Sequence, residues 1–312
     1  PILGVIGLKK YFSHKGRALK AVDGVDLSIR KGETLGIVGE SGSGKSTLGR
    51  SILRLLEPTE GEIQFKGENI TGYNARALRE LRKKMQIIFQ DPFSSLNPRM
   101  NIGAIIGDGF RIHKMYNKEV RRKEVEKLME LVGLSIEYIN AYPHELSGGQ
   151  QQRVGIARAL ALQPEFIVCD EPVSALDVSI QAQIINLLED LQKEFSMSYL
   201  FIAHNLAVVK HISKRVCVMY LGRFVEIANT DDLYNNPLHP YTKTLLSAIP
   251  DIDRLEHEKE RIELKGEIPS PLNPPKGCHF HPRCPYAIDR CREKETQLHN
   301  IGDEHLVACH LV

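Results

Sequence analysis

The sequence lacks long hydrophobic runs and an excess of charge of either sign. It contains no stretch of about eighteen uninterrupted apolar residues, and residues 1–10 lack the order of basic, apolar and small residues that marks a signal peptide. We therefore expect a soluble, cytosolic chain. Its 41 basic and 39 acidic residues leave a formal charge of +2, which disfavours a large surface for nucleic acid.

Strand and helix signals alternate along most of the chain. The stretches LKAVDGVDLSI, ETLGIVGE and GEIQFKGENI show the apolar alternation or the continuous apolar core that is typical of strands. EFIVCD and SYLFIAH indicate two more strands, which flank the amphipathic run from Ile184 to Phe195 as in a parallel sheet. At 312 residues the chain should form one large α/β core with an insertion or an appendage.

Two stretches depart from this rhythm. From about residue 94 the pattern is helical, because Val125, Leu128, Met129 and Val132 recur on one helical face and Gly133 is placed to end that helix. After about residue 236 prolines multiply, which indicates a loop-rich segment. We therefore predict a helical insertion and an appended C-terminal region.

The sequence GESGSGKS matches the phosphate-binding pattern G-x-x-x-x-G-K-[ST] and lies between a predicted strand and a predicted helix. Its glycines allow backbone N–H groups to turn towards an anion at the positive N-terminus of the helix. Lys45 is expected to reach the terminal phosphates, and the hydroxyl of Ser46 to ligate Mg²⁺. The predicted ATP-binding residues of this loop are Gly39, Ser41, Gly42, Ser43, Gly44, Lys45, Ser46 and Thr47.

Four polar residues follow predicted strands and have the chemistry needed beside a triphosphate. Asp170 and Glu171 end an apolar strand, so Asp170 is expected to hold Mg²⁺ and Glu171 to polarise the water that attacks the γ-phosphate. His204 ends the next strand, which predicts a catalytic position at the same sheet edge. Gln90 follows MQIIF and is expected to offer its amide oxygen to Mg²⁺ or to the water.

The run LSGGQ connects these motifs, because it precedes the helical stretch QQRVGIARAL and stands ahead of Asp170. With SALD at residues 174–177, and with all motifs in the same order, residues 1–235 resemble the ABC ATPase family. The resemblance implies a RecA-like P-loop ATPase core with an antiparallel β subdomain. It also implies an inserted helical subdomain at about 94–158.

The same resemblance implies a head-to-tail dimer in which each subunit closes on the ATP of the other. The LSGGQ segment forms a second anion site at a helix N-terminus, which in the family faces the partner's γ-phosphate. An aromatic residue near the start stacks on adenine in the family, and register favours Tyr11 over Phe12. The predicted signature residues are Ser147, Gly148, Gly149 and Gln150.

FQDPFSSLNPRM and NPLHPYTKTLLSAIP resemble, more narrowly, the ATPase subunits of oligopeptide and dipeptide importers. This implies transmembrane permease subunits as partners, a peptide-binding protein that acts indirectly, and a location on the inner face of the cell membrane. Nickel, glutathione and other small solutes stay open as cargoes. A soluble ABC ATPase that acts on DNA or ribosomes is a weaker alternative, because the sequence shows no second cassette, long coiled coil or basic arm.

Four of the six cysteines crowd into the C-terminal segment with the spacing C-x5-C-x6-C-x17-C. In a reducing cytosol, clustered thiols are more often metal ligands than disulfides. The spacing departs from common zinc-finger pairs and favours a [4Fe–4S] cluster over tetrahedral Zn²⁺ or unligated thiols. An iron–sulfur sensor is thus a third functional alternative, and GCHFHPRCPYA resembles the tail of importer ATPases, some of which carry such a cluster. The predicted ligands, in a C-terminal domain over 236–312, are Cys278, Cys284, Cys291 and Cys309.

Overall fold

The computed structural model describes residues 1–248 and 266–312. Residues 249–265, which include part of the predicted C-terminal domain and the end of NPLHPYTKTLLSAIP, lie outside the described residues. The chain divides into two compact units. The first unit comprises Pro1–Ile29, Thr34–Gly72 and Ala203–Val312, and the second comprises Arg30–Glu33 and Tyr73–Ile202.

The strands confirm every strand that the sequence patterns indicate. In chain order they are β1 (Leu3–His14), β2 (Arg17–Ile29), β3 (Thr34–Val38), β4 (Glu60–Phe65), β5 (Glu68–Asn69), β6 (Met85–Ile88), β7 (Phe166–Asp170), β8 (Ser198–Ile202), β9 (Arg215–Tyr220), β10 (Arg223–Asn229), β11 (His299–Asn300) and β12 (Leu306–Val307).

The helices are concentrated in the second unit. They are α1 (Lys45–Ile52), α2 (Ala75–Lys84), α3 (Pro92–Ser95), α4 (Ile102–Ile106), α5 (Asp108–Ile112), α6 (Lys118–Leu131), α7 (Gly148–Leu160), α8 (Val178–Phe195), α9 (Leu206–Ile212), α10 (Thr230–Asn235), α11 (Pro240–Ser247) and α12 (Asp289–Glu293), with 3₁₀ turns at Ile136–Asn140, Pro143–Glu145 and His281–Arg283.

The first unit contains two groups of paired strands. β2, β1, β4 and β5 form an antiparallel sheet in that order. β3 pairs in parallel with β9, which continues antiparallel through β10 to β12 and β11. Every residue of β3 is buried, as expected for a strand covered on both faces. The C-terminal segment therefore contributes its own strands to the unit that carries the phosphate loop.

The second unit combines parallel strands with helices. β6, β7 and β8 pair in parallel, and β7 and β8 are buried along their whole length. In α6, Val125 and Met129 are buried and Gly133 follows the helix with a φ of 67°, so the predicted apolar face and helix end are confirmed. Within the described residues, no helix is both long and apolar enough to cross a membrane.

Candidate nucleotide site

The phosphate loop connects the end of β3 to the start of α1, as the sequence predicts. Gly44 has a φ of 107°, and a Cβ there would lie 2.1 Å from the carbonyl oxygen of Ala21. Only glycine meets both conditions without strain. Helix α1 then begins at Lys45, so the loop presents the N–H groups of a helix N-terminus. Along the loop, Ser41 and Gly42 are exposed, Ser43 and Lys45 are buried, and Ser46 and Thr47 are half-buried.

Lys45 lies inside the loop rather than in solvent. Its side-chain amine is 2.8 Å from the carbonyl oxygen of Gly39 and 3.0 Å from that of Glu40, to which it donates hydrogen bonds. The Nδ1 atom of His204 lies 3.5 Å from the same amine and 3.3 Å from the Gly39 carbonyl oxygen. The fold thus brings together two of the predicted site residues that are 159 positions apart.

Glu40, the second residue of the loop, is held by the C-terminal part of the first unit. Arg283 donates two hydrogen bonds to its carboxylate, at 2.7 and 3.0 Å. The backbone N–H of Glu40 donates to the hydroxyl of Tyr241 at 2.8 Å. The hydrogen bond to Glu40 raises the pKa of Arg283 even though burial opposes this shift. Sequence patterns do not predict these contacts, because 243 positions separate Glu40 from Arg283.

Tyr11, the predicted adenine-stacking residue, is part of a polar network in the first unit. Its hydroxyl donates to Asp23, and Arg223 makes two hydrogen bonds to the other oxygen of that carboxylate. Burial acts to raise the pKa of Asp23, but the bonds from Tyr11 and Arg223 bring it below its ordinary value. Arg223 also donates to Glu295 of the C-terminal segment at 2.9 Å. Phe12, the alternative, is more exposed and lies under the amine of Lys10.

Glu171 is held in the second unit in a conformation unusual for its residue type. Its φ of 50° lies in the left-handed region, and its backbone N–H donates to the carbonyl of Ile202 at 2.9 Å. The side-chain nitrogen of Gln90 donates to its carboxylate at 2.7 Å, so the structure unites two predicted catalytic residues. The amide oxygen of Gln90 is not used in this bond. Asp170, one residue earlier, is 1% exposed. Non-glycine residues at positive φ concentrate at functional sites.

The signature segment forms the N-terminus of α7, as predicted. Ser147 caps the helix, its hydroxyl accepts from the N–H of Gln150, and the side chain of Gln150 accepts from the N–H of Ser147 at 2.9 Å. A Cβ at Gly149 would lie 2.7 Å from the side chain of Ile180. The segment is therefore a preformed helix N-terminus, in which Gly148 is exposed and Gly149 is half-buried.

The four C-terminal cysteines converge in the first unit. Burial raises the pKa of Cys278 and Cys309, and raises that of Cys284 to about 11, and neighbouring thiols of the same group raise all three further. Gly277 makes the approach possible, since a Cβ there would lie 2.4 Å from the carbonyl oxygen of Cys291. Cys291 and Cys309 are buried, Cys278 and Cys284 are half-buried, and thiols are the donors that an iron–sulfur cluster requires. However, among residues 1–248 and 266–312 no group of three or more His, Cys, Asp or Glu side chains is arranged to hold a metal ion. The predicted iron–sulfur cluster therefore lacks support.

Comparison with known protein families agrees with these motifs. The ABC transporter model matches residues 22–174, and the model for the C-terminal region of oligopeptide/dipeptide transporters matches residues 225–291. The oligopeptide transport ATP-binding protein AppF of Bacillus subtilis is 55% identical over 319 residues, which cover 99% of this chain and 97% of AppF. The chain belongs to the ABC ATPases, in the oligopeptide/dipeptide transporter group.

Other relatives of this ABC ATPase agree with that assignment. The dipeptide transport ATP-binding protein DppF of Haemophilus influenzae is 50% identical over 315 residues, which cover 99% of this chain and 96% of DppF. Among solved structures, the dimeric cassette MJ0796 in a post-hydrolysis state with ADP and Pi is 30% identical, with a TM-score of 0.68. That similarity covers 73% of this chain and 98% of the cassette. The ABC ATPase fold predicted from the sequence is thereby confirmed.

Proposed function

We propose that this ABC ATPase binds and hydrolyses Mg-ATP to drive the uptake of dipeptides or oligopeptides through a separate membrane permease. The observation that carries the proposal is the buried Lys45 at the N-terminus of α1, with its amine inside the phosphate loop. Relatives named for oligopeptide or dipeptide transport are 55% and 50% identical to this chain over nearly their whole length. Nickel and glutathione are the alternative cargoes for the same motor. A soluble ABC ATPase acting on nucleic acid is the weaker alternative.

ATP binding rests on the phosphate loop and one aromatic residue. Lys45 supplies the cation for the terminal phosphates, and the backbone N–H groups of the loop surround them. The hydroxyl of Ser46, the carboxylate of Asp170 and the amide oxygen of Gln90 are the proposed contacts to Mg²⁺. Tyr11 stacks on the adenine ring.

Hydrolysis rests on Glu171, assisted by Gln90 and His204. Glu171 orients and polarises the attacking water, and the amide of Gln90 fixes the position of that carboxylate. His204 contributes a polar contact to the γ-phosphate and stays beside Lys45 through the loop carbonyl of Gly39. This chemistry consists mainly of positioning and charge stabilisation.

Turnover requires a second ATPase subunit, identical or related. The N-terminus of α7 is the surface that would face the nucleotide of that partner, because its N–H groups and the hydroxyl of Ser147 suit a phosphate. Gly148, Gly149 and Gln150 complete this contact. ATP then holds the two subunits together until it is hydrolysed.

The permease contact is proposed for a cavity in the second unit. The cavity has a volume of about 460 Å³ and is lined by residues of α2, β6 and α5, together with Phe89, Arg158 and Leu162. It lies beside the Gln90 loop and the helices of the insertion. A permease segment bound there would therefore be displaced when either of these elements moves. This contact would place the chain on the inner face of the membrane.

The proposed function assigns a separate role to each of two domains. We assign 1–235 to the ATPase, with a helical subdomain at about 94–158 for the permease and the signature. Residues 236–312 form the small cysteine-rich, importer-type domain. There Cys278, Cys284, Cys291 and Cys309 would hold a [4Fe–4S] cluster, or Zn²⁺ as the alternative, which would fix the loops of the segment in place.

The proposed transport function is tested by reconstitution of the ATPase with its permease and binding protein in liposomes. ATP-dependent accumulation of a labelled dipeptide or oligopeptide is expected. Nickel and glutathione in the same assay serve as competing cargoes. Uptake of nickel or glutathione, but not of peptide, would show that the proposed cargo is wrong. ATP hydrolysis that is stimulated by nucleic acid but not by the permease would show that the proposed transport function is wrong.

A further inference from the structure

Glu40 is the point at which the C-terminal segment contacts the phosphate loop. Its carboxylate is paired with both terminal nitrogens of Arg283, and its N–H donates to the hydroxyl of Tyr241. Its carbonyl accepts from the amine of Lys45 and from the N–H of Ser43. One residue thus joins the C-terminal segment to the lysine proposed to bind phosphate.

Arg283 is itself held rigidly. Its side chain is 5% exposed, and its guanidinium lies 5.9 Å from the ring centre of Tyr220. Tyr220, Tyr241 and Phe280 pack edge to face or tilted, with ring centres 4.8 to 5.3 Å apart. The backbone N–H of Arg283 donates to the carbonyl of Phe280 at 3.0 Å. The bidentate ion pair between Arg283 and Glu40 therefore fixes the orientation of the Glu40 carboxylate as well as neutralising its charge.

Two physical effects on ATP follow from this pair. First, it keeps the Glu40 carbonyl, and so the Lys45 amine, in one arrangement before ATP arrives, which reduces the ordering cost of binding. Second, it neutralises the carboxylate of Glu40, which lies within the loop proposed to bind the triphosphate of ATP. Removal of Arg283 would leave that carboxylate without its cation, and an uncompensated charge of this kind repels phosphate.

We propose that Arg283 is a positioning residue for ATP, which acts through Glu40 on the phosphate loop. The C-terminal segment is therefore part of the apparatus that sets ATP affinity, in addition to any role it has in holding a metal group. The inference rests on the proposed binding of ATP by the loop. It requires no contact between Arg283 and the nucleotide.

The test is the dissociation constant of a non-hydrolysable Mg-ATP analogue, measured by calorimetry on the full chain. Arg283→Gln should raise this constant about tenfold, which corresponds to about 1.4 kcal/mol. Arg283→Lys should recover part of the loss, since it restores the charge but not the fork. Arg292→Gln is the matched control, because Arg292 is exposed in the same segment and loses the same charge.

A second variant separates positioning from general damage. The double variant Glu40→Gln, Arg283→Gln removes the repelling carboxylate, so it should bind the analogue more tightly than Arg283→Gln alone. In the ATPase assay, Arg283→Gln should raise KM and leave kcat within about twofold, as expected when binding is lost equally from ground and transition states.

Three outcomes would overturn the inference or its basis. An unchanged dissociation constant in Arg283→Gln would remove Arg283 as a positioning residue. A double variant no better than the single variant would show that the arginine only maintains the fold of the segment. Failure of the wild-type chain to bind the analogue would instead remove the proposed function.

Discussion

The phosphate loop of the first unit and the carboxylate of the second unit are held in different ways. The loop depends on backbone geometry that distant residues brace, among them Ala21, His204 and Arg283. At Glu171, Gln90 donates a hydrogen bond to the carboxylate, and the backbone, with a φ of 50°, donates to the carbonyl of Ile202. Damage to the loop should therefore weaken binding and stability, whereas loss of the carboxylate should stop turnover and spare binding.

Lys45→Ala tests the loop side of this comparison and should have the largest effect on affinity. Hydrogen bonds to a charged group contribute about 1.5–3 kcal/mol each, so the dissociation constant for Mg-ATP should rise about a hundredfold. Calorimetric titration measures it directly. Lys276→Ala, an exposed lysine of the same unit, is the control. An unchanged affinity in Lys45→Ala would contradict the role given to the loop.

Gly44→Ala tests whether the loop depends on backbone shape. The new methyl group would meet the Ala21 carbonyl at a φ of 107°, so the free energy of unfolding should fall by about 1–3 kcal/mol. Gly42→Ala is the matched control, because Gly42 has a φ of 78° but open space around it. Urea unfolding of both variants separates the steric cost from the conformational one. Equal losses in the two variants would show that the close approach to Ala21 is unimportant.

We expect a smaller, pH-dependent effect from His239, which lies next to the contact between Tyr241 and the phosphate loop. Burial lowers its pKa to about 3, and its Nδ1 atom accepts from the N–H of Tyr241, the residue that contacts Glu40. Because the pKa of His239 is lower in the folded than in the unfolded chain, neutral His239 contributes to the free energy of unfolding. This contribution is fully present above about pH 6.5 and is lost as the pH falls. Between pH 7 and pH 5 the loss should be about 2 kcal/mol.

The check is urea unfolding at several pH values in wild type and His239→Asn. Asparagine retains an oxygen that can accept from Tyr241 but does not titrate in this range. The variant should therefore show a flatter dependence on pH. Parallel curves for the two proteins would place the titration on other groups.

Local patterns in the sequence predict the elements that carry the motifs. β3, β7 and β8 are continuous apolar runs, and α8 has a regular apolar stripe, so each is recognisable from its own residues. β1 is not predicted in this way, because glycines and lysines interrupt its alternation, as the mixed burial of Leu3–His14 reflects. Its stability comes from pairing with β2 and β4.

The site shows the same limit. Motif spacing predicts Lys45, Glu171 and the signature helix, since each lies on a locally defined turn or strand end. The partners of Glu40 leave no local signal, because they depend on chain segments 201 and 243 positions away. Likewise, the spacing of the cysteines shows that four thiols are clustered along the chain, whereas binding of a metal group depends on a three-dimensional geometry that spacing does not define.

The most direct test of the account is the nucleotide that Glu171→Gln retains after incubation with Mg-ATP in the assembled transporter. Without a carboxylate to polarise water, hydrolysis should fall at least about a hundredfold while binding survives. Glu194→Gln, an exposed glutamate of the same unit, is the control. Bound ATP in Glu171→Gln, against ADP in wild type and control, is the predicted result. ADP in all three at equal rates would contradict the assignment of Glu171 as the catalytic residue.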